Sequence, residues 1–186
     1  MQTGLAVTEP QPADPSWPRY SVRLFPSYRF VPGKNLHPRH NPKGHSYGQE
    51  EHRPILLSPE RWSRSDDYLY GIDLYNYAYW WECHEVFEGL WNTAGHHTEQ
   101  GNFFQALIQL AAANLKGFMG NHQAMRNLLH RGLVRLQRVP EFYMGIAVAS
   151  LTKELQQCIT SSHRQAPSIR LDMLDREIGA VRANGQ

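Results

Sequence analysis

Residues 80–91 read Trp80-Trp81-Glu82-Cys83-His84-Glu85-Val86-Phe87-Glu88-Gly89-Leu90-Trp91, and this stretch decides the fold. Residues three and four positions apart lie above one another on an α-helix. One face of the predicted helix therefore carries an aromatic ring and ionisable groups, from Trp81, His84, Glu85 and Glu88. A second face is apolar and comprises Cys83, Val86, Phe87 and Leu90. The pattern predicts a core helix with a polar cluster among aromatic residues.

Helical spacing continues on both sides of this stretch. The predicted helices run from 68 to 91 with a break near 76–79, then over 103–118, 122–138 and 140–159. Pro140 takes a first helical position, and the core side of that helix comprises Phe142, Ile146, Ala149, Leu155 and Cys158. A short last helix carries Leu171, Leu174, Ile178 and Val181. Because the loops are short, residues 65–186 are predicted to form one compact antiparallel all-α bundle of about five helices.

The first third of the chain has a different composition. Ten of the twelve prolines precede Trp62, and proline at this density excludes long helices. Residues 1–18 are predicted to be a disordered tail, and residues 19–64 an irregular Pro/His-rich arm packed on the body. The predicted apolar anchors of the arm are Val22, Leu24, Phe25, Tyr28, Phe30 and Val31.

Bulk composition limits the classes of partner. The formal net charge of +2 gives no reason to expect a nucleic acid. No apolar run approaches the roughly 20 residues that span a bilayer, and the N-terminus lacks the features of a secretory signal. We therefore expect a soluble cytoplasmic protein with no membrane or nucleic-acid partner, and with a protein partner or a second copy as the candidate interactions. Cys83 and Cys158 lie in helical patterns, which predicts free buried thiols.

The stretch Tyr79 to Trp91 resembles the signature of domain-of-unknown-function family 309, a tyrosine and an aromatic residue followed by E-A-H-E-V-x-E-x-L-W. Further blocks that resemble the family are 103–113, Gly120-Asn121 with the leucine-rich helix after it, and Tyr143-x-Gly145-Ile146. The resemblance covers about residues 66–160. It implies a compact all-α bundle with the signature helix inside it, and it implies no activity. Cys83 stands where alanine is usual, and Lys116 stands where a histidine is expected, which weakens a metal interpretation if that histidine is a ligand.

Three interpretations of the polar cluster follow from its residues. In the first, His84 and Glu88 at positions i and i+4 bind one metal ion, with further ligands from His45, His96, His97, Gln105 or Gln109. In the second, Glu85 and Glu88 raise one another's pKa and act with His84 in acid/base catalysis. In the third, the carboxylates accept hydrogen bonds from Gln105, Gln109 or Lys116 on the facing helix, which forms a sealed structural network.

The third interpretation is preferred, because the metal ligand set is incomplete and no nucleophile with a partner is visible. It predicts an uncharacterised, non-catalytic interaction or scaffold module, with Trp81, Gln105, Gln109 and Lys116 as candidate binding residues. The alternative is a small metal-assisted hydrolase that uses His84, Glu85 and Glu88. The sequence identifies no cofactor.

Overall fold

The computed structural model describes residues 9–50, 52–161 and 165–173, and within them five α-helices pack together. The helices are α1 (Asp66–Asn76), α2 (Trp80–Ala94), α3 (Glu99–Phe118), α4 (His122–Leu136) and α5 (Val148–Thr160). A 3-10 helix (Pro59–Arg64) precedes α1, and a two-stranded antiparallel sheet, β1 (Phe142–Tyr143) and β2 (Ile146–Ala147), precedes α5. The predicted all-α bundle is confirmed. None of the helices in the described residues is long and apolar enough to cross a membrane.

The break between α1 and α2 lies where the sequence predicts it. Ala78 has a left-handed φ of 65°, and the N–H of Tyr79 bonds the carbonyl of Leu74 at 2.9 Å, which closes α1 and turns the chain into α2. A Cβ added at Gly71 would lie 2.7 Å from the ring of Phe87. Glycine on α1 therefore allows the α2 ring to approach the α1 backbone closely.

All five helices contribute to the core, and its aromatic part lies between α1, α2 and α3. Tyr68, Phe87, Phe103 and Phe104 are all at most 1% exposed, with ring centroids 5.8–6.3 Å apart. The buried hydroxyl of Tyr68 donates to the carbonyl of Met144 at 2.8 Å, so the ring fills the core while its polar atom is satisfied. The apolar face of α2 packs into this core. The polar residues of α2 therefore lie at the edge of the helix.

The predicted helix from Pro140 is wrong in its first half. Met144 and Gly145 have φ values of 47° and 79°, and these two left-handed residues form the tight turn of the β1–β2 hairpin. Phe142 is 46% exposed, and Ala149 is exposed as well. The other three predicted core residues, Ile146, Leu155 and Cys158, are buried.

The N-terminal arm lies along α1 and α2, and its described residues form no helix or strand before the 3-10 helix. Phe30 and Val31 are buried as predicted, whereas Val22 and Leu24 are 97% and 89% exposed, so their role as anchors is wrong. Side chains two positions apart in an extended chain point the same way, and here both point outward. The apolar character of a residue did not reveal which side of the extended chain faces the helices.

Two predictions concern the ends of the chain. In the described part of the predicted tail, residues 9–18, the indole N–H of Trp17 donates to the carbonyl of Ile169 at 3.2 Å, and the hydroxyl of Tyr77 donates to the carbonyl of Trp17. The chain is therefore fastened to the body before residue 19. Most of the predicted last helix, including Leu174, Ile178 and Val181, lies outside the described residues.

Candidate ligand-binding cleft

A cleft of about 510 Å³ lies between the N-terminal arm and the outer sides of α1 and α2. The arm supplies one wall, and residues of α1 and α2 supply the other. Both walls combine apolar and ionisable groups. The lining residues are Arg23, Leu24, Phe25, Pro26, Ser27, Arg39, His45, Ser46, Gln49, Glu50, His52, Pro54, Asp67, Tyr70, Leu74, Trp81, Glu82, Glu85, Val86 and Gly89.

Glu82 fastens the arm to α2 at this cleft, and its side chain is only 6% exposed. Its Oε1 atom accepts a hydrogen bond from the backbone N–H of Phe30 at 2.9 Å and lies 3.0 Å from Nε2 of His45. The Oε2 atom is buried and has no hydrogen-bond partner among the described residues. A buried carboxylate oxygen without a donor costs free energy, so this atom favours any donor that reaches it.

A short row of hydrogen bonds continues from Glu82 along the arm. Nδ1 of His45 lies 2.8 Å from the hydroxyl oxygen of Ser46. If Glu82 is ionised, a neutral His45 donates from Nε2 and accepts the Ser46 hydroxyl proton at Nδ1. The ring of His45 also packs against Tyr28, with centroids 4.6 Å apart. These contacts hold the histidine in one orientation in the cleft wall.

The face predicted to be sealed is partly open. The side chains of His84, Glu85 and Glu88 are 35%, 33% and 45% exposed, so the prediction of a buried network on this face is wrong. The reason is that α2 packs through Cys83, Phe87 and Leu90, which leaves the polar residues at the helix edge.

The polar side chains of this face contact one another and the arm. Nδ1 of His84 is 3.8 Å from one carboxylate oxygen of Glu85 and 3.8 Å from one of Glu88, and Nε of Arg39 is 3.6 Å from Oε2 of Glu85. Within the described residues, no hydrogen bond or ion pair joins them to Gln105, Gln109 or Lys116. The predicted bridge to α3 is therefore absent from the described contacts.

The other predicted site residues lie in separate places. Trp81 lines the cleft and makes edge contacts with Phe30 and His37, with centroids 5.1 Å and 5.6 Å apart. Gln105 and Gln109 each have a buried side-chain oxygen without a partner among the described residues, and Lys116 is half-buried. Of the additional metal ligands proposed from the sequence, His45 is bound to Glu82, His96 stacks on Trp91 at 4.0 Å, and His97 is exposed.

One group of side chains in the described residues brings three possible metal ligands close together. His84, Glu85 and Glu88 can each present one ligand atom, and these three atoms lie within 4.8 Å of one another. A histidine nitrogen and two carboxylate oxygens form a ligand set that suits zinc or manganese, with open positions for water or substrate. The described histidines at 45, 96 and 97 do not complete this set.

Cys83 is excluded as a nucleophile by its surroundings. Burial raises the pKa of its thiol well above the ordinary value, and the nearby Glu82 carboxylate raises it further. Because the thiolate is the reactive form, this cysteine is an inert core residue. Cys158 is also a free thiol, and burial raises its pKa. The predicted free buried thiols are confirmed.

The sequence interpretation missed the role of Glu82 in the cleft. Glu82 lies three residues before Glu85, so helical spacing alone places it beside the cluster. Its partner His45 is 37 residues away in an irregular segment, and no pattern in the sequence pairs the two. The one available signal was the position of Glu82 among the buried residues Trp80 and Cys83, because a buried carboxylate needs partners.

Comparison with known proteins agrees with the family resemblance. Residues 68–128 match the model of the family described as Domain of unknown function (DUF309), which supports the predicted family assignment over this part of the chain. The matched segment contains all but the first two residues of α1, all of α2 and α3, and the first half of α4, and so includes most of the helical wall of the cleft. No curated protein matches the chain.

Proposed function

We propose that this protein is a non-catalytic binding module that receives a short peptide segment of a partner protein in the cleft between the arm and α1 and α2. The observation that carries the proposal is the cleft, whose volume of about 510 Å³ lies in the range of sites that bury a ligand. Its wall offers aromatic and aliphatic surface beside ionisable groups. A peptide that presents one apolar and one polar side chain matches this lining.

The surface beside the cleft supports a macromolecular occupant. Leu24 lines the cleft and is 89% exposed, Val22 on the same side of the arm is 97% exposed, and Ile55 is 77% exposed. Apolar side chains exposed close to a cleft extend the surface that a bound chain can cover. A small molecule confined to the cleft would leave Val22 and Ile55 in water.

A peptide library displayed on phage, selected against the purified protein, tests the proposal. Ser27 is exposed and lines the mouth of the cleft, so Ser27→Trp fills the mouth without touching the core. Gln156→Trp adds the same side chain on the exposed side of α5 and is the matched control. We expect enriched peptides that bind the wild-type protein and Gln156→Trp but not Ser27→Trp. Failure to enrich any peptide that depends on the cleft would contradict the proposal.

A chemical probe tests whether the module is non-catalytic. Ser46, His45 and Glu82 form a hydrogen-bonded row of the kind that activates a serine in hydrolases. A fluorophosphonate reacts covalently with such an activated hydroxyl and leaves ordinary serines unmodified. We expect no labelling of the folded protein, and labelling that Ser46→Ala abolishes would show that the cleft is catalytic.

The metal cluster supports a second candidate, a small metal-assisted hydrolase. The supporting observation is the grouping of His84, Glu85 and Glu88 ligand atoms within 4.8 Å of one another. A zinc ion held there would lower the pKa of a bound water and generate a nucleophile. Calorimetric titration with Zn²⁺ is the test: this candidate expects one equivalent bound by the wild-type protein and none by His84→Ala. Equal binding by both proteins, or none by either, would contradict it.

A further inference from the structure

We propose that the cleft recognises a primary ammonium group, the side chain of a lysine in the bound peptide, through the carboxylates of Glu82 and Glu85. The inference rests on the proposed peptide-binding function and specifies which side chain the cleft selects. It goes beyond that function because a cleft could bind peptides through apolar contacts alone.

The first observation is an imbalance of charge within the cleft. Arg23 is satisfied locally, because its guanidinium is 2.9 Å from Asp67. Glu82 and Glu85 lie three residues apart on α2 and both line the cleft, and among the described ion pairs the guanidinium of Arg39 reaches Glu85, at 3.6 Å, and not Glu82. The α2 side of the cleft therefore carries two carboxylates with one loosely held cation, which favours a cationic ligand.

The second observation is the unsatisfied oxygen of Glu82. One oxygen of this carboxylate already accepts from Phe30 and His45, and the other is buried without a partner among the described residues. Both described donors bond Oε1, so Oε2 can still accept from a donor that a ligand brings into the cleft. An ionised donor makes a stronger hydrogen bond to a carboxylate than a neutral one.

The number of carboxylate oxygens that remain free in the cleft favours lysine over arginine. A guanidinium binds best when both oxygens of one carboxylate accept from its planar pair of N–H groups. Glu82 has only one free oxygen, and Glu85 supplies oxygens from a different position on the helix. A compact ammonium with three donors that can point in different directions fits two separate carboxylates better.

The apolar part of the cleft suits the rest of a lysine side chain. Trp81, Val86 and Leu74 line the same cleft as the two carboxylates. Lysine buries its four methylene groups along apolar surface while its charged end stays in a polar place. A bound lysine would therefore contact the apolar wall with its methylene groups and Glu82 and Glu85 with its ammonium.

Titration of the full chain with blocked pentapeptides, followed by NMR, tests the inference. The probes are acetyl-Ala-Ala-X-Ala-Ala-amide with lysine, arginine or norleucine at X. The reporters are the amide of Gly89 and the indole N–H of Trp81, two residues that line the cleft. We expect saturable shifts with the lysine peptide and at least about tenfold weaker binding for the norleucine peptide, because a hydrogen bond to a charged group contributes that much. The arginine peptide should bind between the two.

Two variants connect the preference to the carboxylates. Glu85→Gln changes a partly exposed side chain, so the fold should survive, and it should weaken the lysine peptide about tenfold without changing the norleucine peptide. Glu82→Gln should also weaken the lysine peptide about tenfold without changing the norleucine peptide. The chemical shift of the Phe30 amide reports whether the arm stays docked in this variant. Glu141→Gln, an exposed carboxylate outside the cleft, is the matched control and should leave all three affinities unchanged.

The outcomes separate this inference from the proposed function. Equal binding of the lysine and norleucine peptides, lost in Ser27→Trp, would overturn the lysine preference and leave the peptide-binding cleft standing. A lysine preference that survives both Glu85→Gln and Glu82→Gln would also overturn it. If phage selection enriches no cleft-dependent peptide, the proposed function fails first.

Discussion

The anchor of the arm at Asp73 gives the sharpest prediction about stability. Asp73 is fully buried on α1, and its two oxygens accept from Nε of Arg19 at 2.8 Å and from the backbone N–H groups of Tyr20 and Ser21, both at 2.9 Å. In Asp73→Asn the new side-chain NH₂ must face one of these donors, so at least one buried donor loses its acceptor. The bond from Arg19 also loses the negative charge of its acceptor in either orientation of the amide.

The magnitude follows from those two losses. An unsatisfied buried donor costs about 1–3 kcal/mol, and a hydrogen bond to a charged group contributes about 1.5–3 kcal/mol. Because Arg19 is one-third exposed, water recovers part of the second term, so we expect the arm to be destabilised by about 3 kcal/mol. Cleavage by trypsin after Arg19 and Arg23 follows the population of the released arm and should accelerate about a hundredfold.

A matched variant on the same helix controls for the change of charge. Asp66 is 60% exposed, lies 3.7 Å from Arg23 and accepts a hydrogen bond from the hydroxyl of Ser21 at 3.0 Å. The remaining side-chain oxygen of Asp66→Asn can still accept from that hydroxyl, so the variant removes the same charge without leaving a buried backbone donor unpaired. We expect the rate of trypsin cleavage and the urea midpoint of this variant to stay close to those of the wild-type protein, within about 0.5 kcal/mol. Similar cleavage rates in the two variants would refute the conclusion that the buried hydrogen bonds of Asp73 hold the arm.

Three further predictions concern the body of the protein. Asn76→Ala removes the two 2.8 Å hydrogen bonds to the backbone of Ile169. The Ile169 carbonyl keeps the bond from the Trp17 indole, but the buried N–H of Ile169 is left unpaired, which costs about 1–3 kcal/mol and should speed amide exchange at Ile169 by at least about tenfold; unchanged exchange would contradict this. Gly145→Ala places a Cβ 2.5 Å from Trp62 at a φ of 79°. It should therefore lower the free energy of unfolding, measured in urea, by about 1–3 kcal/mol. A change below about 0.5 kcal/mol would show that the hairpin adapts to the added methyl group. The pKa of Cys83 is raised in the folded state, so its contribution to stability is present below the unfolded value of about 8.5 and is lost as the pH rises above it. The urea midpoint of the wild-type protein should therefore fall more between pH 7 and pH 10 than that of Cys83→Ala, and equal falls would contradict the assignment.

Local chemistry made the helical body predictable. The caps at Ser65 and Asn121 accept from Tyr68 and Ala124 as their sequence positions indicate, and the apolar spacing placed α2 to α4 within a few residues. The hairpin before α5 was missed because a left-handed Met144 is rare, so Tyr143-Met144-Gly145-Ile146 did not indicate a turn with two positive φ values. That conformation is stabilised by tertiary contacts, including the bond from the Tyr68 hydroxyl to the Met144 carbonyl.

Only half of the candidate site could be predicted, because one wall comes from regular helices and the other from the irregular N-terminal arm. The helical half follows from spacing, which grouped His84, Glu85 and Glu88 correctly but gave no measure of their exposure. The other half comes from an arm whose contacts are set by single hydrogen bonds, such as those from Phe30 and His45 to Glu82. An extended segment has no periodicity that identifies its partners, so the sequence could not show that Glu82 faces the arm.

The position of the anchors makes the arm part of the binding site. The arm is fastened to α1 through Asp73 at residues 19–21 and to α2 through Glu82 at Phe30 and His45, and residues 23–27 between these anchors form part of the cleft wall. Asp73 does not line the cleft, whereas Glu82 does and has one oxygen without a hydrogen-bond partner among the described residues. Asp73→Asn should therefore weaken the lysine and norleucine peptides by the same factor, because it loosens a shared wall, and Glu85→Gln should weaken only the lysine peptide. A selective loss of lysine binding in Asp73→Asn would mean that the arm, and not the pair of carboxylates, determines the preference.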